Sequence, residues 1–235
     1  MSWVPWAVAA GAGLGMLAWA GDAMAGSGGP VGEGIVDRRD RARLSSEAAE
    51  HASTRAVGDV YALVLHQMGF SRGSDPADYD GVTAHYLVLP DGGVYWLHDH
   101  ATRLPAAGGL NAGGVSVEMA GNLPSRARST DPAHFWRPDR HGMDQLTDAQ
   151  VLAGRRLIEE FVRQGWLTHV LAHRQGGPNR QNDPGPDVWR ELGAWAVRRF
   201  GLQWGGDGFA VNQGEPIPGH WWGDGGVPGS GGAVA

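Results

Sequence analysis

Four short apolar runs limit what this chain can fold into. They are YALVLH at Tyr61–His66, AHYLVL at Ala84–Leu89, VSVEM at Val115–Met119 and VLAH at Val170–His173. Each predicts a buried strand. The second run meets a turn at Pro90-Asp91-Gly92-Gly93 and returns as Val94–His98, so 84–98 predicts a β-hairpin. Thr147-Asp148-Ala149-Gln150 is a capping box. It opens a helical pattern of Val151, Ile158, Phe161 and Val162 that stops at Gly165. Asp187 is expected to cap a last helix, with Val188, Leu192, Trp195 and Ala196 on one face and Gly201 as its stop. Together these segments predict an α/β domain: a mixed central sheet of about five strands flanked by helices.

Glycine sets the boundaries. Of 39 glycines, 9 lie in residues 1–34, 12 in 201–235 and only 18 in the long middle. The expected organisation is an apolar N-terminal segment and linker over 1–34, a domain over 35–201 and a Gly/Trp-rich tail over 202–235. Residues 3–20 are uncharged and about long enough to span a bilayer. Ala23-Met24-Ala25 resembles a signal-peptidase site, without the positive flank. Export signal, weak membrane anchor and apolar docking arm are all open for this segment, and a cleaved chain would begin near Gly26. Asp37 to about Val57 is polar and Ala-rich and predicts a surface-lying helix. The tail carries Trp204, Phe209, Trp221 and Trp222. It is read as a floppy segment whose aromatic rings dock on the domain, with a partner or glycan contact as the sharper reading.

Charge and cysteine remove several functions. The net charge is −6 and all 19 basic residues are arginine. An acidic chain without a long basic run does not suit nucleic acid. The absence of cysteine excludes disulfides, a thiol nucleophile and thiolate metal ligands. Any transition-metal site must draw on the ten histidines and on carboxylates.

Three of the apolar runs end in, or carry, a polar residue: His66, Glu118 and His173. A buried polar group is costly unless paired. The loop after His173 is rich in Gly and Pro and is able to bring Asp183 back to it. Two neutral imidazoles and a carboxylate with a fourth position open suit catalytic zinc. Chance pairing of His and Asp is the competing reading.

Four pieces, in order along residues 58–201, resemble the type 2 N-acetylmuramoyl-L-alanine amidases, the superfamily of phage amidase lysozymes and peptidoglycan-recognition proteins. They are Val64-Leu65-His66-Gln67, Ala84-His85-Tyr86-Leu87-Val88, Gly114-Val115-Ser116-Val117-Glu118-Met119-Ala120-Gly121, and Ala172-His173 followed by Asp183-Pro184-Gly185-Pro186. The ten-residue step from His173 to Asp183 is the spacing of that family. The resemblance implies Zn2+ held by His66, His173 and Asp183, with Glu118 as general base. Two positions depart from it. The family lysine, two residues before the last ligand, is Gln181 here, with Arg180 beside it. Either is a candidate to stabilise the oxyanion, Arg180 by charge and Gln181 by register. The family's Trp-His-Ala-Gly segment corresponds to Leu104–Gly108, which puts Ala106 at the histidine; His98 and His100 are the candidates to replace it. His85 is read as a hydrogen-bonded packing residue.

The function implied is a peptidoglycan hydrolase that cuts between N-acetylmuramic acid and L-alanine, as in a phage endolysin or a virion-associated lysin. The alternative is an impaired peptidoglycan-binding or structural virion protein that keeps the fold. Peptidoglycan is the expected partner, with membrane or virion contact through residues 3–20 and the C-terminal tail left open. Action is expected at the cell wall or periplasm, by a chain that is exported, membrane-tethered or virion-associated. Residues 122–146 read either as a groove wall for glycan or stem peptide, or as an ordinary loop.

Overall fold

The computed structural model describes residues 34–227. In chain order its elements are β1 (Ile35–Asp37), α1 (Ser46–His51), β2 (Ser53–Thr54), β3 (Ala62–Gln67), β4 (Tyr86–Val88), β5 (Val94–Trp96), β6 (Thr102–Arg103), β7 (Gly114–Met119), α2 (Pro138–His141), α3 (Asp148–Arg163) and β8 (His169–Ala172). A last helix follows as α4 (Pro186–Val188), a π-helical stretch (Trp189–Ala194) and α5 (Trp195–Phe200). The central sheet has six strands in the order β1-β5-β4-β7-β3-β8, and β2 pairs with β6 separately. The β4–β5 hairpin is antiparallel, while β4, β7, β3 and β8 run parallel. The sheet is mixed, as the sequence predicts.

The strand beyond the five that the apolar runs predict is β1. Its three residues pair parallel with β5 at the sheet edge, too short a stretch to show a period of two. The helix expected over 37–57 shrinks to α1, where Ser45 Oγ accepts the Ala48 N–H at 3.1 Å. The residues before α1 are held by tertiary ion pairs instead. Arg38 reaches Asp80 at 2.7 Å and Arg39 reaches Asp99 at 2.9 Å. The Arg39 guanidinium also lies 3.6 Å over the Trp96 ring. The Thr147–Gln150 capping box forms and starts α3. Asp187 does not cap the last helix. Pro186, whose missing N–H suits a first helical position, puts the cap at Gly185. Asp187 lies inside the first turn, where it accepts the Arg128 N–H at 3.0 Å and pairs with Arg190.

Strand alternation gives the sheet two different faces. Leu63, Leu65, Val115, Val117 and Met119 point into the main core beneath α3 and the last helix. The other face carries two smaller apolar clusters, one with Ala62, Val64 and Leu171, the other with Leu87, Leu89 and Leu97. The aromatic residues beyond Gly201 pack onto the domain. Trp221 and Trp222 are buried in the main core. The Trp222 ring lies 4.8 Å from Trp204 and 5.5 Å from Trp189, edge to face. Residues 3–20 lie outside the described residues. Among the described residues no helix is long and apolar enough to cross a membrane.

Candidate metal centre

β7, β3 and β8 are sheet neighbours, so their C-terminal ends lie together, the usual place for a ligand on a parallel sheet. Their register sets His66 opposite Glu118. Both belong to the face turned away from the main core, between its two smaller clusters. His173 follows β8 directly. The loop after it returns Asp183 to the same point, with Oδ2 2.8 Å from His173 Nδ1. The donor atoms of His66, His173 and Asp183 all lie within 4.8 Å of one another. The two imidazole rings are 4.3 Å apart, centroid to centroid. Glu118 Oε1 is 3.7 Å from His66 Nδ1.

The donor set fits the zinc that the resemblance implies. His66 Nε2 and Glu118 Oε2 are buried without a hydrogen-bond partner. Leaving such an atom unpaired costs about 1–3 kcal/mol, and more if it is charged. A cation among these donors would offset that cost, and two imidazoles with one carboxylate leave a fourth tetrahedral position free. Burial, reinforced by His173 and Arg180, holds the His66 ring well below the usual histidine range, so it is a neutral donor. Burial also pushes the Glu118 carboxyl well above the usual range; the Asp183 charge adds to this and Arg180 offsets part of it. A carboxyl so raised accepts and returns a proton more evenly than an exposed one.

Gln67, to which the sequence reading gave no role, holds the second half of the site. Its N–H donates to Asp183 Oδ1 at 3.1 Å. Its side chain donates to the Asn182 carbonyl at 2.6 Å and accepts the Leu123 N–H at 2.8 Å. One residue beside His66 thus fixes both the carboxylate and the loop that carries it. Arg180 and Gln181 are exposed on that loop. The Arg180 charge acts on both His66 and Glu118, whereas Gln181 offers its carbonyl to Arg174.

The stretch 104–108 packs beside the turn that follows His173. A Cβ on Gly108 would stand 2.3 Å from the Gly176 carbonyl oxygen, so backbone meets backbone here. His100 does not stand in for the histidine replaced by Ala106. Its ring packs against Tyr86, Trp96, Phe161 and Trp166, in the core on the other face. His98 faces the Val82 backbone instead. His85 is paired on both nitrogens: Nδ1 accepts the Ser116 N–H at 3.0 Å, so Nε2 donates to the Thr102 carbonyl at 2.9 Å.

A family model described as N-acetylmuramoyl-L-alanine amidase matches residues 53–186. The chain belongs to this amidase family. No curated protein matches it in sequence. Three solved structures similar to it have TM-scores between 0.43 and 0.48. N-acetylmuramoyl-L-alanine amidase LysC from Clostridium intestinale URNW has a TM-score of 0.48 at 13% identity, over 72% of this chain and 98% of that one. Drosophila peptidoglycan recognition protein SD has 0.48 at 20%, over 72% and 95%. The Ph2119 endolysin from Thermus scotoductus bacteriophage Ph2119 has 0.43 at 19%, over 67% and 97%.

The amidase match contains Glu118, His66, His173 and Asp183 and ends before the last helix has run its course. It also spans the 122–146 stretch. There the buried Asn122 amide accepts the Trp136 N–H and donates to the Trp136 and Gly142 carbonyls at 2.9 and 2.6 Å. The Trp136 indole is 55% exposed and lies against Gly69, just past the end of β3. This part of the chain is therefore an anchored loop with an outward aromatic ring near the His66 end of the sheet.

Proposed function

We propose that this chain is a zinc-dependent amidase that cuts the bond between the lactyl carbonyl of N-acetylmuramic acid and the nitrogen of L-alanine. The observation that carries the reading is the convergence of His66, His173 and Asp183 within 4.8 Å, beside a half-buried Glu118, in a chain of this family. His66, His173 and Asp183 would hold the metal. Zinc bound there supplies a Lewis acid that polarises the scissile carbonyl and acidifies water.

The remaining work falls to the chain. Glu118 takes a proton from the attacking water as its oxygen adds to the carbonyl carbon. It then gives that proton to the departing alanine nitrogen as the C–N bond breaks. The products are a free lactyl carboxylate and a stem peptide with a new N-terminal amine. The neutral His66 ring and the Gln67 contact to Asp183 keep the donors fixed. Arg180 supplies positive charge to the developing oxyanion, in the place of the family lysine. Trp136 and its loop form one wall of the substrate groove. The substrate places the action at the cell wall, in an endolysin or a virion-associated lysin.

Digestion of purified peptidoglycan tests this. Stem peptides with N-terminal L-alanine and intact glycan strands should appear, stop with a chelator and return with zinc. Arg180→Ala should lower turnover by about 10²-fold, and Gln181→Ala much less. A loss confined to Gln181→Ala rejects Arg180 in that role. Ala106 and Gln181 favour the second reading, a binding protein that keeps the site. Tight peptidoglycan binding with no released peptide would establish it and end the enzymatic one.

A further inference from the structure

We infer that the segment 209–222, which lies beyond the family match, is part of the scaffold of the site, and that Arg174 is the positioning residue through which it acts. Arg174 directly follows the ligand His173 and is only 6% exposed. All three guanidinium nitrogens are used. Nε donates to the Pro216 carbonyl at 2.9 Å, one terminal nitrogen to Glu215 Oε2 at 2.9 Å, and the other to the Gln181 carbonyl. The Trp221 ring lies 4.7 Å from the guanidinium carbon. The backbone of Arg174 repeats the connection, with its N–H donating to the Asp183 carbonyl at 2.8 Å and its carbonyl accepting the Glu215 N–H at 2.7 Å.

One side chain therefore joins both ends of the ligand-bearing loop to a segment some forty residues downstream. The approach is close. Val211 N–H donates to the Gln175 carbonyl at 2.8 Å. A Cβ on Gly214 would stand 2.6 Å from the Gln175 backbone, so only glycine fits that crossing. Arginine suits the task because its planar fork reaches acceptors in several directions at once. A lysine ammonium is a single point on a flexible stem. The bond to Gln181 also sets the register of the neighbouring Arg180. Asp183 is thus held by the Gln67 N–H on its carboxylate and by the Arg174 N–H on its carbonyl, and the Arg174 side chain ties the same loop, at Gln181, to the C-terminal segment.

The consequence for metal affinity rests on the zinc reading above, whereas the consequence for loop order does not. The test uses the full chain with Arg174→Met and Glu215→Ala, and Leu157→Ala in the core as a control for stability. Zinc affinity is measured by chelator competition, and amide hydrogen exchange over residues 176–183 is measured on the metal-free protein. Arg174→Met should weaken zinc binding by about 10–100-fold, the scale for lost support around a metal site. It should also speed exchange in the loop while β3 and β7 keep their protection. Glu215→Ala should act in the same direction with a smaller effect. Leu157→Ala should lower the melting temperature and leave both loop readouts unchanged. If Arg174→Met does not fold, Glu215→Ala decides alone, because that carboxylate is 46% exposed. Wild-type loop protection in the substituted proteins, or a zinc loss no greater than in Leu157→Ala, would overturn the inference. A wild type that binds no zinc, with a loop that loosens in the variants, would sink the zinc reading and leave the clasp standing.

Discussion

His66 and His85 are each 1% exposed, and burial lowers the proton affinity of both rings. Their surroundings differ. His85 has a backbone partner for each ring nitrogen. His66 has a buried nitrogen with none, and its neighbours are a second imidazole and two carboxylates. The first region spends its polar groups on one another and is closed. The second leaves them aimed at a common point. Burial alone does not separate a structural histidine from a functional one, and neither does one unpaired atom, since His98 Nε2 and His141 Nε2 are unpaired too; His66 differs in having other metal donors gathered around it.

The largest effects should come from removing each ring. His66→Leu should abolish zinc binding and turnover, yet leave the metal-free melting temperature unchanged or higher, because it deletes an unpaired polar atom. His85→Leu should do the reverse. It strands the Ser116 N–H and the Thr102 carbonyl, which costs about 2–6 kcal/mol at about 1–3 kcal/mol each, and it should keep zinc. Calorimetry beside metal analysis reads both, and equal stability losses in the two variants would erase the distinction.

Glu118→Gln comes next. It keeps the shape of the side chain and removes its basicity. Turnover should fall by about 10²-fold or more, with zinc content and melting temperature unchanged. Full activity in this variant would assign the proton to another group.

The smallest effect concerns pH and a histidine of the closed kind. Burial, then the nearby Arg55 charge, pushes the His100 ring down to about 4, and its Nε2 lies 2.9 Å from the Tyr86 hydroxyl. In the unfolded chain the ring titrates near ~6.5. The contribution of the neutral ring is therefore full above that value and lost as pH falls toward 4, by roughly 2–3 kcal/mol. His66 and His85 act in the same direction. His100→Gln should flatten the fall of metal-free melting temperature between these pH values without removing it. An unchanged slope would show that His100 does not titrate in this way.

What could be read from the sequence follows the range of the interactions. The strand carrying His66, the hairpin, the capping box of α3 and the His173–Asp183 step are local patterns, and each appears where its residues predict. β1 leaves no mark in the sequence, because three residues show no period and its partner lies far along the chain. Asp187 has the chemistry of a cap, but the preceding Pro186 favours the first helical position and moves the cap to Gly185. Gln67 and Arg174 are neighbours of His66 and His173 that carry no local signal of their own. Their roles depend on Leu123, Asn182, Glu215 and Pro216, which nothing in the sequence marks as neighbours.

Gln67 and Asp183 are separated by 116 positions in the chain yet share a hydrogen bond. Between them lie two parallel pairings, β3 with β7 and β3 with β8. Parallel strands close large loops before they gain contacts, and such non-local pairing is slow. The donors therefore meet only after most of the domain has been made and paired. A chain still emerging from the ribosome, short of residue 183, has no complete set to offer a metal. Acquisition of the metal would thus be a late event in the life of the molecule, a sign that folding has finished rather than an aid to starting it.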